Sequence, residues 1–194
     1  MKRLLLILIL TFSFQSLIKA DDIRDFQIEG MSIGDSLLDY FNEDEIKNHN
    51  QDNYYDWVKE KKIFTVMEIS DHKNFRTFDA MQFAYKKNDP NYIIYDMNGI
   101  LLYKNKIEEC KSKMKDISKD VEGMFSDLQK KIDNNITHPD DPSGESKIFK
   151  IVYWFQSGDM VGIKCFDWSK SKAYADSLKF QLKLKEFNEW LTPG

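Results

Sequence analysis

Hydrophobic and polar positions alternate with a period of two in several stretches of the chain, which is the pattern of half-buried β-strands. Aromatic and β-branched side chains are frequent in the same stretches and favour extended backbone. Turn-forming residues at 157–159 separate two of the stretches and predict a hairpin. The predicted strands cover 63–69, 78–86, 148–155, 160–168 and 178–184.

The dipeptide formed by Asn98 and Gly99 predicts a second hairpin, over residues 92–103. Both central positions of a tight type I′ turn need a positive φ, which asparagine and glycine adopt most readily. The flanking residues 92–97 and 100–103 are rich in hydrophobic and aromatic side chains, so they are expected to form its two strands.

Residues 104–132 change to a helical period, with hydrophobic side chains every three or four positions. We interpret this narrow stripe as one helix lying on a sheet; the alternative is a coiled-coil seam for a partner. Gly123 marks a point where the helix can break, and the polar segment 133–146 is predicted to be a long loop. The stripe consists of Ile107, Cys110, Met114, Ile117, Val121, Met124, Leu128 and Ile132.

Short helices are predicted before the first strand and after the last strand. Asp35 is placed to cap a helix over 36–41, and Asn42 followed by Glu45 resembles a capping box. Residues 185–191 are predicted to form a terminal helix.

Strands that are neighbours in sequence and joined by tight turns make an antiparallel sheet. The pattern therefore predicts an α+β fold, with an antiparallel sheet of six or seven strands in meander hairpins packed against one long amphipathic helix. We expect one domain over 21–194. Its order is short helices at 21–60, strands at 63–103, the long helix at 104–132, strands at 147–184 and the terminal helix at 185–191.

Residues 1–20 have the three-part pattern of a secretory signal peptide. Lys2 and Arg3 are followed by an apolar run from Leu4 to Phe14 and then by a polar stretch that ends at Ala20. The alternatives are a membrane anchor and a buried helix, but a span needs about 20 apolar residues. We expect export to the periplasm or the medium, with cleavage after Ala20.

The charge balance excludes one class of partner. The chain has 28 basic and 32 acidic residues, a net charge of −4. Removal of 1–20 takes away three basic residues, so the remainder has 28 − 3 = 25 basic and 32 acidic residues, about −7. A nucleic-acid-binding domain carries a basic surface instead, so no nucleic acid is expected. No second apolar stretch is long enough to predict a membrane span in the mature chain.

The two cysteines are predicted to face the same interior. Cys110 lies on the hydrophobic stripe of the long helix, and Cys165 shares a strand face with Val161 and Ile163. In an oxidising compartment such a pair can form a disulfide, which would close a loop of about 55 residues and contribute about 3–4 kcal/mol. The alternative is two independent buried thiols, and the sequence leaves both open.

Catalytic chemistry is not visible in the sequence. The three histidines match no metal-binding spacing, and no HExxH, nucleophile elbow, phosphate-binding glycine loop or CxxC occurs. We therefore assign no catalytic, metal-binding or cofactor-binding residue and expect no cofactor.

The acidic segment that begins at His138 is rich in oxygen ligands, but Pro139 and Pro142 interrupt the alternation that a calcium loop needs. We interpret it as a solvated loop. Its acids stay candidates for a hydrolase whose site only the fold assembles: Asp140, Asp141 and Glu145.

The strand faces opposite the predicted core carry large aromatic side chains. Trp154, Phe166 and Trp168 form a candidate platform for a partner or a carbohydrate, because a large exposed apolar patch usually marks an interaction site. The alternatives are cross-strand aromatic pairing and cover by the N-terminal segment that contains Trp57.

Several motifs support a resemblance. The signal-peptide pattern, the segment 30–41 (GMSIGDSLLDYF), the turn 157–159 (SGD) and the segment 165–169 (CFDWS) resemble uncharacterised small exported proteins of AT-rich marine bacteria. That resemblance implies export and brings no particular activity with it. The segment that begins at Gly30 also looks like the opening of outer-membrane assembly lipoproteins of the BamE type, over about a dozen residues and without their lipid-attachment cysteine.

These observations favour an exported binding or interaction domain without catalysis, whose partner is a protein or a small molecule. The alternative is a small secreted hydrolase. A pocket with convergent charged groups would favour the enzyme, whereas a flat aromatic sheet face would favour binding.

Overall fold

The computed structural model of the protein describes residues 22–58, 62–125 and 127–192. The predicted signal peptide at 1–20 lies outside these residues. The described residues form the predicted α+β fold, with ten strands and three α-helices. The strands are β1 (Gln27–Ile28), β2 (Met31–Ser32), β3 (Asn50–Gln51), β4 (Phe64–Ser70), β5 (Ala80–Lys86), β6 (Asp96–Leu102), β7 (Gln129–Thr137), β8 (Lys147–Trp154), β9 (Met160–Asp167) and β10 (Ser177–Lys183); the helices are α1 (Glu43–Asn48), α2 (Ile107–Met124) and α3 (Lys185–Leu191).

Eight of these strands form one antiparallel sheet in the order β3-β4-β5-β6-β10-β9-β8-β7. It consists of two meanders, β3 to β6 and β7 to β10. They meet where β10 pairs with β6, from Ser177 opposite Leu102 to Lys183 opposite Asp96. Because β6 lies in the middle of the sheet and β7 at one edge, α2 connects the middle to the edge. β1 and β2 pair separately.

One face of the sheet, here called the first face, carries the main hydrophobic core. α2 lies against β8, β9 and β10 on this face. The N-terminal segment packs into the same core, where the ring centroids of Phe41 and Phe83 are 5.6 Å apart. The buried residues of this segment are Ile23, Ile28, Met31, Ile33, Leu37, Phe41 and Ile46.

The opposite face, here called the second face, is covered over only part of its area. α3 and the turn segment that contains Tyr55 lie over one end of it. The ring of Tyr55 meets that of Trp190 edge to face at 5.3 Å, and Phe64 of β4 meets Phe187 in the same way at 5.0 Å. This small cluster holds α3 on the sheet at that end of the second face.

Several local predictions are confirmed. Asn42 and Glu45 form the capping box of α1, each side chain accepting a hydrogen bond from the backbone N–H of the other. β8 and β9 form the predicted hairpin, and β10 and α3 begin within one residue of their predicted starts. The predicted Asp35 cap is wrong, because Ser36 caps a 3₁₀ helix over Leu37–Asp39. Asp35 instead accepts hydrogen bonds from Ser32 N at 2.8 Å and Tyr40 Oη at 2.5 Å.

The predicted hairpin at Asn98 and Gly99 is wrong, because both residues lie inside the continuous strand β6. A Cβ atom on Gly99 would come within 2.7 Å of the ring of Phe78. Glycine is therefore needed here for close approach of an aromatic ring rather than for a turn.

The predicted helix at 104–132 is too long, and the loop predicted at 133–146 begins too early. α2 ends at Met124, and Phe125 takes an extended conformation with its ring packed against Phe155 at 5.0 Å. Residues 129–137 then form the edge strand β7, in which Ile132 is half exposed. This strand and the two-residue β3 bring the main sheet to eight strands instead of six or seven.

Of the two alternatives for the cysteines, a disulfide or two separate thiols, the structure has the disulfide. The Sγ atoms of Cys110 and Cys165 are 1.99 Å apart, which is disulfide-bonding distance. Both residues are fully buried. The bond joins α2 to β9, so the helix is attached covalently to the first face of the sheet.

No helix among the described residues is long and apolar enough to cross a membrane.

A groove on the second face as candidate functional site

A groove of about 780 Å³ lies on the second face, in the area that α3 leaves open. Polar side chains from β5, β6, β9 and β10 form its floor. One wall is the turn at 54–57 together with α3. The other wall is the end of β9 with the loop that follows it, up to Tyr174. The groove is therefore built from both meanders of the sheet.

Another hollow, of about 550 Å³, lies between α1, β3 and the turn that follows β5. Its buried polar side chains Thr65 and Tyr85 are paired within the protein, since Asn50 Oδ1 accepts hydrogen bonds from Thr65 Oγ1 at 2.7 Å and from Tyr85 Oη at 3.1 Å. The groove on the second face differs, because its floor contains buried charges and an unpaired acceptor. We therefore place the candidate site in the groove.

The floor contains a row of polar side chains that strand register sets side by side. Gln181 of β10 lies opposite Asn98 of β6, Asn98 opposite Gln82 of β5, and Gln82 opposite Glu68 of β4. Gln82 Nε2 donates a hydrogen bond to Glu68 Oε2 at 2.5 Å. A row of amides offers both donors and acceptors, so the floor is polar where the first face is apolar.

Asp96 is the centre of the hydrogen-bond network on this floor. Its side chain is 1% exposed, and its two oxygens accept hydrogen bonds from Gln181 Nε2 at 2.8 Å and Asn98 Nδ2 at 2.6 Å. Burial raises the pKa of the Asp96 carboxyl, while nearby Lys183 and the two amides favour its charged form. The buried carboxylate thus orients both amides.

Asn98 has a polar atom that the protein does not satisfy. The residue is 5% exposed, and its Oδ1 is the one fully buried side-chain N or O atom without a hydrogen-bond partner in the described part of the chain. Its Nδ2 donates to Asp96, which assigns Oδ1 as the acceptor. A buried acceptor without a donor costs about 1–3 kcal/mol, so this position is suited to a donor from a bound molecule.

Lysines from neighbouring strands are directly opposite each other on the same face. Lys164 of β9 lies between Lys150 of β8 and Lys179 of β10. Lys164 Nζ donates to Gln181 Oε1 at 3.1 Å, and Lys179 Nζ donates to Gln82 Oε1 at 2.9 Å. The lysines are therefore tied to the amide row of the floor.

Burial and mutual repulsion lower the pKa values of two of these lysines. Burial and the nearby ammonium groups of Lys183 and Lys179 lower the pKa of Lys164 to about 7, against a weaker opposite effect of Asp96. Burial also lowers the pKa of Lys183, whose Nζ lies 5.5 Å from the ring centroid of Phe187. Near pH 7 the amine of Lys164 is therefore present in both its charged and its neutral form.

Aromatic side chains form the wall opposite α3. The rings of Phe166 and Trp168 are nearly parallel, with centroids 6.2 Å apart, and Tyr174 lies 4.9 Å from Trp168. The ring of His138 supports Trp168 from behind at 4.3 Å. Burial lowers the pKa of His138, and its Nδ1 accepts a hydrogen bond from Asp140 N at 3.1 Å, which requires an unprotonated Nδ1. The aromatic part of this wall is therefore uncharged.

The structure brings together part of the platform predicted from the sequence. Phe166 and Trp168 line the groove, whereas Trp154 lies on the same face but not among the groove-lining residues. The proposed N-terminal cover contributes the opposite rim, where Trp57 is 64% exposed. The platform is thus one wall of a groove and not a flat surface.

The three acids considered for hydrolysis do not form a pair of free carboxylates. Both oxygens of Asp141 accept hydrogen bonds from Ser143 and Ser146, which strongly lowers the pKa of this carboxyl. Asp140 lines the groove, and Glu145 is exposed. Asp141 therefore serves to fold its own loop.

Sequence reasoning missed most of the floor. Asp96 and Asn98 were assigned to a hairpin, although both point to the same side of one strand. A usable signal was present in β10, where Lys179, Gln181 and Lys183 alternate with buried Leu178, Phe180 and Leu182. Polar residues that alternate with core residues in a central strand mark a hydrated second face.

No protein family, curated protein or solved structure with which we compared the chain matches it. Among the described residues, no group of three or more His, Cys, Asp or Glu side chains is arranged to hold a metal ion.

Proposed function

We propose that the protein is an exported binding domain that holds a small organic anion in the groove on the second face. The observation that carries this proposal is the charge of the groove lining. Four lysines and two acidic residues line it: Lys164, Lys172, Lys179 and Lys183 with Asp96 and Asp140. With Lys164 counted as neutral, the formal charge is 3 − 2 = +1. The chain without residues 1–20 carries about −7, since 25 basic and 32 acidic residues remain. A local excess of cations in an acidic protein favours anionic ligands.

The aromatic side chains of the wall specify the second part of the ligand. Phe166, Trp168 and Tyr174 offer ring faces at the side of the groove, and ligand sites usually combine such surfaces with a few oriented polar groups. A ring-shaped molecule would place an apolar side on Trp168 and its charged group over the lysines. A hydroxyl of the same molecule would supply the donor that Asn98 Oδ1 lacks.

The predicted signal peptide supports the location. The lysine and arginine at 2–3, the apolar run and Ala20 are typical of export, and oxidising conditions outside the cytoplasm favour the bond between Cys110 and Cys165. We therefore propose a periplasmic or secreted protein. Its partner would be a small molecule, because the charged lining is concave and about 780 Å³ in volume.

The proposal is tested with three anions and their neutral counterparts: glucuronate beside glucose, benzoate beside benzyl alcohol, and glycerol phosphate beside glycerol. At least one anion should quench tryptophan fluorescence and raise the melting temperature, since ligands that bind only the native state stabilise it. Its neutral counterpart should have no effect. The proposal fails if no anion binds, or if each anion and its counterpart bind equally.

Two variants locate the binding. Lys179→Gln should weaken binding of the responding anion about tenfold, because it removes a charge-assisted contact. Lys119→Gln is the matched control, since Lys119 is an exposed residue of α2 with a side chain that is 77% accessible. Equal affinity of both variants would place the anion elsewhere on the surface.

A further inference from the structure

We propose that Lys164 is a nucleophilic amine, which condenses with the carbonyl group of a small 2-oxo acid that enters the groove. This inference rests on the proposed function only in that an organic anion must have access to the groove. It adds a covalent step, for which the observations are the position of Lys164, its neighbours and the unpaired acceptor on the same floor.

The position of Lys164 suits a reactive amine. It lies on β9, inside the sheet, so its backbone is fixed by paired strands on both sides. The side chain is half-buried and lines the groove, and Nζ is held at 3.1 Å from Gln181 Oε1. Gln181 in turn donates to buried Asp96 at 2.8 Å. The amine is therefore oriented by two hydrogen-bonded residues and still open to the groove.

Burial and the neighbouring cations favour the neutral form of the Lys164 amine. Lys150 and Lys179 flank it across the two paired strands, and Lys183 is a further cation on the same face. The carboxylate of Asp96 has the opposite, weaker effect and raises the pKa of Lys164. Its oxygens already accept two amide hydrogen bonds. The resulting pKa of about 7 for Lys164 leaves a large fraction of free amine at neutral pH. Lysine nucleophiles are activated in this way, by desolvation or an adjacent cation.

Of the lysines that line the groove, Lys164 fits this role best. Lys183 is only 4% exposed and lies beside the ring of Phe187, so a substrate cannot reach its amine directly. Lys172 donates to the backbone oxygen of Asp140 at 2.9 Å and lies outside the sheet. Lys179 is the neighbour whose charge acts on Lys164.

The step balances without any further reactant. The lone pair of Lys164 Nζ attacks the carbonyl carbon, and a C–N bond forms while the carbonyl oxygen takes up a proton. The resulting carbinolamine loses its hydroxyl, and the two hydrogens of the amine leave with that oxygen as one water. The product is an imine between Nζ and the former carbonyl carbon, with no change of oxidation state.

The surroundings select a carbonyl compound with a carboxylate. In a 2-oxo acid the carboxylate is attached to the carbonyl carbon, so it would lie on the side of Lys179, directly opposite Lys164 on the paired strand, when that carbon reaches Lys164. The carbinolamine carries a hydroxyl that can donate a hydrogen bond. Asn98 Oδ1 is an acceptor without a donor on the same floor, and buried acceptors favour such a partner.

The test uses glyoxylate with sodium cyanoborohydride, which reduces an imine to a stable carboxymethyl amine. Peptide mass spectrometry of the wild-type protein then measures the labelling rate of each lysine. At pH 7, Lys164 should be labelled about tenfold faster than exposed Lys119, because burial and the neighbouring ammonium groups favour the free amine of Lys164. The rate at Lys164 should reach half its maximum near pH 7.

Two comparisons separate the site from general lysine reactivity. Glycolaldehyde, the neutral counterpart of glyoxylate, should label Lys164 more slowly than glyoxylate does. Lys179→Gln should shift the pH midpoint of Lys164 upward and slow its labelling at pH 7, while Lys119→Gln should change neither. Circular dichroism of each variant verifies the fold.

Labelling of Lys164 no faster than that of Lys119 at pH 7 would overturn the inference, and this result needs no variant. If an anion binds the groove but Lys164 is not labelled, only the covalent step is wrong. If Lys164 is labelled quickly while no anion of the binding experiment has an effect, the reactive amine stands and the proposed binding function falls.

Discussion

At the scale of single residues, Gly99 shows how a missing side chain positions its neighbours. The ring of Phe78 occupies the space where a Cβ would be, with three ring atoms within 2.8 Å of that point. On the other side of the same strand, Asp96 and Asn98 hold the floor of the groove. The backbone of β6 is thus fixed between an aromatic ring and a polar network.

Gly99→Ala is therefore expected to lower the free energy of unfolding by about 1–3 kcal/mol, because the added methyl group forces Phe78 out of its place. Gly123→Ala is the matched control, since no atom lies within 4 Å of its added Cβ and alanine favours helix by about 1 kcal/mol. Urea denaturation measures both. A neutral Gly99→Ala variant would show that Phe78 moves away without cost.

Individual residues of the site were predictable only where local pattern decides their direction. The period of two placed Phe166 and Trp168 on the second face, where they line the groove. The same reasoning failed at Asn98 and Gly99. The dipeptide Asn-Gly is typical of a tight turn, but glycine also occurs in a strand where an aromatic ring packs directly on the backbone, and the local sequence does not distinguish the two cases. Register between β6 and β10, which are far apart in sequence, decides which polar residues meet.

At the scale of elements, the bond between Cys110 and Cys165 attaches α2 to β9. α2 has no side-chain hydrogen bond at its N-cap, and Cys110 lies in its first turn. The disulfide holds this end of the helix, and Phe125 anchors the other end in the core beside Phe155. Packing at both ends therefore sets the extent of the helix more than helix propensity does.

Replacement of both cysteines by alanine is expected to lower the free energy of unfolding by about 3–4 kcal/mol, because an open chain gains entropy in the unfolded state. Urea denaturation of the variant, and of the wild type with and without reductant, measures this change. The variant should not respond to reductant. Equal stability of the wild type under both conditions would contradict a structural role for the bond.

The elements differ in how far sequence could define them. β8, β9, β10 and α3 were predicted nearly to the residue, since their hydrophobic alternation and turn signals agree. β7 was not, because its side chains are exposed almost throughout and show no period. The end of α2 was also not predictable, because Phe125 packs against Phe155, which is distant in sequence, and the local hydrophobic pattern does not indicate this contact.

At the scale of the whole molecule, the sheet has a protected middle and weak edges. β6 and β10 lie at its centre, with α2 or the N-terminal segment over their first face, whereas β7 and β3 are its edges. β7 carries Lys130 and Lys131 and few buried side chains, and charged edges of this kind disfavour pairing with another sheet.

Native-state hydrogen exchange should follow this arrangement. Backbone amides of β6 and β10 are expected to exchange at the rate of global unfolding, and those of β7 much faster through local opening. Mass spectrometry of peptides from each strand measures the order. Protection of β7 equal to that of β10 would mean that the sheet opens only as one unit.

The pairing of β6 with β10 also has a consequence for the order in which the molecule is completed. Residues 177–183 are far from residues 96–102 in sequence, yet they pair with them and form the strand between the two meanders. Contacts between such distant segments form late and slow folding. A chain released or cut before Ser177 would hold two separate meanders, and the groove, whose floor draws on both, would not exist.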